Sequence, residues 1–133
     1  MPKLVTINAA TRSGLQPMSG YVANIPLVEG EAPVKFLIEI DPDTRDPRTL
    51  THYASGQQFA PRLLDYALAY RLRRGSSAGT LTKHQLASMA VADAVARVGI
   101  DKAREVIAAA PVINPEPRRQ RRGRGLLDAP SYD

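Results

Sequence analysis

Apolar residues recur at every second position in the first half of the chain and at every third or fourth in the second half, so strands are expected to precede helices. The clearest alternation runs from Val34 to Asp41: Val34, Phe36, Ile38 and Ile40 form one apolar face, with Lys35, Leu37, Glu39 and Asp41 between them. That pattern predicts a strand with one side on a core. Lys3–Asn8 is short and β-branched and predicts a first strand; Tyr21–Val28 predicts a second. Pro26 lacks a ladder N–H, which places that second strand at an edge or a bulge. Thr49–Ala54 predicts a fourth.

The links carry the turn chemistry. Ala9–Gly20 holds Thr11, Ser13, Gly14, Pro17, Ser19 and Gly20 and reads as a loop. Glu29–Pro33 suits a hairpin connection, and Pro42–Pro47 is turn residues throughout. Parallel strands would need crossover helices, for which links this short leave no room, so the strands form a small antiparallel meander of three to four.

The helical half has legible ends. Pro61 suits a first helical position, Leu63, Leu64, Ala67, Leu68 and Leu72 form the predicted core stripe, and Gly75 stops the helix after Arg71, Arg73 and Arg74. Thr82 and Gln85 have the spacing of a capping box, with Leu81 and Leu86 placed as a hydrophobic staple. Gly99 is placed to end that helix in a left-handed conformation with Ile100 folding back on Val95, and Asp101 to cap a last short helix that Pro111 stops. On the Thr82–Gly99 helix, Ala87, Val91, Ala94, Val95 and Val98 share one face and Leu86, Met89 and Ala90 another. A helix between the sheet and a neighbouring helix accounts for both faces. If the second face is instead a subunit interface, Leu86 and Met89 are its contacts. The fold class is therefore α+β: a meander followed by two to three helices packed on one face, with residues 1–110 as one domain and 111–133 as a Pro/Arg-rich flexible tail.

Composition narrows the function. The chain has 133 residues and no cysteine, which excludes a disulfide scaffold, a thiol nucleophile and cysteine-based zinc or iron–sulfur sites. It lacks a 20-residue apolar run and an apolar leader, so a cytoplasmic protein without a membrane span is expected. Fourteen arginines against four lysines, with abundant alanine, fit a GC-rich bacterial or phage genome.

No catalytic frame such as G-x-S-x-G, H-E-x-x-H or a phosphate-binding glycine loop is present, so an enzyme is not expected and no cofactor or metal is implied. His52 reads as a half-buried, hydrogen-bonded histidine and His84 as a solvated residue in a first helical turn. Asp41, Asp43 and Asp46 lack the alternate spacing and sixth-position glycine of a calcium loop and read as a turn. Val91–Val106 has the outline of a helix–turn–helix. However, Glu105 stands where a buried apolar residue belongs, and only Lys102 and Arg104 could read bases, so a capped helical hairpin explains the same residues.

The strongest signal is Arg118, Arg119, Arg121, Arg122 and Arg124, five guanidiniums in seven residues. The stretch around them has no apolar residue to repay ordering. The net charge of +5 understates this run, because Glu116, Asp128 and Asp133 stand nearby. Guanidiniums at this density match successive phosphates, and without interleaved aromatics they point to the backbone and not to bases. Arg62, Arg71, Arg73 and Arg74 of the first helix extend the candidate basic surface. The expected function is an accessory or regulatory protein that binds nucleic acid non-specifically. The alternative is an assembly component that uses a helix face or sheet edge toward an acidic protein partner or a second copy, with the tail as a docking peptide.

Overall fold

A computed structural model describes residues 3–75, 79 and 81–115. Five strands, β1 (Val5–Thr11), β2 (Gly14–Ile25), β3 (Val34–Ile40), β4 (Pro47–His52) and β5 (Gln58–Ala60), precede three helices, α1 (Leu63–Arg74), α2 (Lys83–Val98) and α3 (Ile100–Ala109). The strands form one antiparallel sheet in chain order, so the fold is the α+β meander with helices that the pattern implied, with one strand more.

The extra strand is β5, and the main correction lies between β1 and β2. The predicted loop Ala9–Gly20 is a hairpin: β1 runs to Thr11, turns through Arg12 and Ser13, and pairs with β2 from Gly14 onward. Its turn residues are tolerated because each has a place in the ladder. Pro17 faces Asn8, whose N–H and C=O are bonded to a side chain elsewhere and ask nothing of β2. Pro26 lies just past the end of β2, which is an inner strand and not an edge. β5 is three residues long, too short to show a period.

β2 changes partner at Gly20: residues up to Gly20 pair with β1, and those from Gly20 on pair with β3. At that point a Cβ would run into the backbone carbonyl of Ile38, so only glycine permits the approach. The sheet thus has two covered faces. Ala23, Ile25, Phe36, Ile38, Ile40, Leu50 and Ala60 pack under Leu63, Ala87, Ala90, Val91 and Ala103 of the helices. Ile7, Leu37 and Tyr53 form a second, smaller core on the other side with Val5, Met18 and Val22, where the Thr51 hydroxyl donates to Met18 Sδ at 3.3 Å. Leu37, which the alternation put among polar positions, is fully buried there.

The loop between the last two strands contacts the first strand. The β4–β5 turn reaches β1, where Ala10 N–H donates to the Gly56 carbonyl at 2.8 Å. The chain after α3 crosses to the same place. Asn114, 8% exposed, accepts from Asn8 N–H at 2.9 Å and donates from Nδ2 to the carbonyls of Asn8 (2.8 Å) and Tyr53 (2.9 Å). Ile113 and Asn114 N–H groups also donate to the Ala54 carbonyl. Ile113 and Asn114, grouped with the tail on composition, are docked on the domain, whereas residues 116–133 lie outside the described residues. Asn114→Ala is expected to lower stability by about 2–3 kcal/mol, from three hydrogen bonds at about 0.5–1.5 each. A urea midpoint within error of the parent protein would show that the clasp contributes nothing.

The helix ends follow their local chemistry with three exceptions. Thr82 and Gln85 form the reciprocal capping box. Gly99 has φ +90° but ψ 147°, and Ile100 already begins α3, so the predicted left-handed ending with a returning Ile100 does not form. Gly99, not Asp101, is the N-cap of α3; Asp101 sits in the first turn against Arg104. At the start of α1 the N-cap is Arg62, which leaves Pro61 outside the helix.

Candidate nucleic-acid interface

α1 carries the candidate arginines that lie within the described residues, and its orientation decides what they present. The predicted stripe of Leu63, Leu64, Ala67, Leu68 and Leu72 does not face the core as a unit. Leu63 is fully buried and Tyr66, Ala67 and Tyr70 are half-buried, whereas Leu64, Leu68 and Leu72 are 46%, 59% and 76% exposed. Tyr66 is the long polar-tipped side chain on the inner side. Tyr66 lays its ring against the helix-side core and donates from its hydroxyl to Asp93 of α2 at 2.8 Å; burial first, and this bond second, push its phenol above the ordinary range.

The four body arginines are all exposed, but they do not form one patch. Arg62 stands at the start of α1, paired with Asp65 at 3.1 Å, about 16 Å along the helix axis from Arg73 at 1.5 Å per residue. Arg71, Arg73 and Arg74 gather in the last turn, where they also offset the negative end of the helix dipole. Arg71 and Arg73 have no ion-pair partner among the described residues; Arg74 lies over the Tyr70 ring, 5.5 Å from its centroid. Of the four candidate positions on the body, three thus gather at one helix end. Arg118, Arg119, Arg121, Arg122 and Arg124 lie outside the described residues.

α3 is poorly equipped as a reading helix. Arg104 pairs with Glu31 of the β2–β3 link and with Asp101, and Lys102 with Glu105 at 3.6 Å. The candidate partner contacts on α2 separate: Leu86 is 3% exposed and has no surface to present, while Met89 is half-buried. Leu86 is covered because α2 buries the edge between its two predicted faces, Leu86, Ala87, Ala90 and Val91, rather than either face. Neither helical periodicity nor composition marks Leu64, Leu68 and Leu72 as the exposed apolar set, since a core stripe has the same spacing.

The remaining candidates are held within the fold. His52 is 8% exposed, its ring edge-on to Phe36, and its Nδ1 is 2.8 Å from Ser55 Oγ. That separation fits a nucleophile and base, yet Ser55 is fully buried and also accepts from Gln57 N–H, so the pair braces the β4–β5 turn. Burial lowers the His52 pKa. The native state therefore holds the ring neutral while the unfolded chain takes up a proton near pH 6.5. Its stabilising effect is present above that pH and declines as pH falls below it, so urea midpoints measured from pH 7.5 to 5 are expected to drop. In His52→Gln that part of the drop disappears; an unchanged slope would assign it to other groups.

Asp41 accepts from the N–H groups of Asp43 and Thr44, and the Asp41 and Asp46 backbones close the β3–β4 turn with Arg45 at φ +68°. Those N–H groups, Thr44 first, hold the carboxyl of Asp41 below its usual range. This is the turn that the Asp-Pro pattern implied. Among the described residues no helix is long and apolar enough to cross a membrane, and no His/Cys/Asp/Glu cluster is arranged to hold a metal ion. No family model, curated protein or solved structure matches the chain, so a reading of its function rests on its own residues.

Proposed function

We propose that the protein is a non-enzymatic accessory factor that binds nucleic acid through the phosphate backbone. The observation that carries this reading is the run Arg118, Arg119, Arg121, Arg122 and Arg124, with no acid between Glu116 and Asp128. Each guanidinium suits one phosphate through a bidentate fork, and binding releases condensed counterions. The exposed Arg71–Arg74 end of α1 supports the reading as a second, folded source of positive charge. The lack of aromatic residues within the run, together with the paired cations of α3, favours binding without base preference. The test is salt-dependent binding to duplex DNA and to RNA of the full chain and of a variant with glutamine at the five tail positions. Binding that is absent at low salt, or that is unaltered by the five substitutions, would overturn the proposal.

A second reading, a component of a protein assembly, is favoured by the solvent-facing ridge of Leu64, Leu68 and Leu72. Surface leucines at helical spacing on a helix already packed on its other side form an apolar patch with a direction.

A further inference from the structure

We propose that the groove beside α1 is the docking site for the chain's own segment Leu126–Asp133. The groove measures about 350 Å³ and runs between α1 and the start of α2. Leu64, Ala67 and Leu81 supply its apolar lining above the covered Leu86, and Arg71 and Lys83 stand in its wall against a single acid, Asp46. Neither Arg71 nor Lys83 has an ion-pair partner among the described residues. The ridge of Leu68 and Leu72 continues the apolar surface along α1 into solvent. An occupant suited to this surface has bulky apolar side chains next to a carboxylate.

Leu126-Leu127-Asp128 has that composition, and Tyr132-Asp133 repeats the apolar–acid pairing in the same segment. Two leucines match the leucine lining, and Asp128 and Asp133 match the two cations. The intervening arginines have the wrong sign for this wall, so the segment after them is the part that fits. Length permits the contact. From docked Asn114 and Pro115 the chain has eleven residues to Leu126, which span up to about 36–40 Å when extended. A body of roughly 100 residues has a radius of gyration of only about 13 Å, so every face is within reach.

The size of the patch separates this occupant from a second copy of the chain. A stable dimer buries about 800 Å² on each partner, well beyond three leucines and a groove wall. A tethered segment needs much less, because its effective concentration is on the order of millimolar.

The sequence has no cysteine, so Ala129→Cys gives a single attachment point for a nitroxide spin label on the full-length chain. In ¹⁵N-labelled protein without nucleic acid, docking predicts loss of amide peak intensity at residues 64–72 and 81–86, with the β1–β2 turn at residues 11–14 unaffected. Adding Leu126→Ser, Leu127→Ser and Asp128→Lys should restore those intensities, with the rest of the spectrum reporting an intact fold. Three results would overturn the proposal: no intensity loss at the groove, loss spread evenly over the surface, or loss that persists when spin-labelled ¹⁴N protein is mixed with unlabelled-spin ¹⁵N protein. The last would assign the groove to another molecule's segment.

Discussion

Full-length protein titrated with duplex DNA is expected to show log affinity falling with log salt at a slope of about −4.5, the value for five phosphates neutralised on B-form DNA. Between 50 and 200 mM salt that slope corresponds to a loss of roughly 500-fold. Glutamine at positions 118, 119, 121, 122 and 124 removes the charges while keeping side chains of polar character and leaves the docked residues up to Asn114 untouched. The variant is expected to lose most of the slope together with the affinity. A parent slope steeper than −4.5 by up to about 2.7 would report Arg71, Arg73 and Arg74, and glutamine at those three positions should abolish the excess. Arg62, paired with Asp65 and distant from that helix end, should change the slope little when substituted. A slope that stays with the body after the tail is neutralised would move the interface onto the folded domain.

Gly56→Ala is expected to be strongly destabilising, costing about 3–4 kcal/mol. Two effects add. Gly56 has φ +68°, where a side chain costs about 1–2 kcal/mol, and its Cβ would run into the Asn8 carbonyl with Ala9 Cα and Ala10 N each 3.2 Å away. Overpacking of that kind typically costs about 1–3 kcal/mol, and here the displaced partner is strand backbone with no rotamer to change. Gly14→Ala is the internal comparison: its φ is +99° and nothing lies within 4 Å, so only the conformational cost applies. Urea denaturation should separate the two variants by about 2 kcal/mol. Equal midpoints would mean that the β4–β5 turn does not close on β1 as described. Loss of that closure would also weaken the Asn114 clasp, which grips Asn8 and Tyr53 beside it.

The capping box at Thr82, the Asp41 turn and the alternation of β3 were all readable because each signal and its effect lie within a few residues of one another. The arginine run was readable for a different reason: charge density needs no fold to be recognised. The failures share the opposite property. The hairpin over residues 9–20 has the glycines and prolines of a loop in local propensity, whereas Pro17 and Gly20 are accommodated by partners on β1 and β3. Asn114 looked like the start of a tail, and its partners are as many as 106 positions away.

Helix α1 divides the two kinds of information most clearly. Its existence, its glycine end and its basic last turn follow from its own residues. Its rotation does not, because Leu63, Leu64, Leu68 and Leu72 are equally apolar and helical spacing admits more than one buried side. The sheet and α2 take Leu63 and Tyr66 inward, with the Tyr66 hydroxyl on Asp93, and the other three leucines are left facing water. Sequence alone determined the order of elements, the local caps and turns and the cationic run; only tertiary packing decided which apolar residues became core and which became surface, because burial is shared among segments distant along the chain.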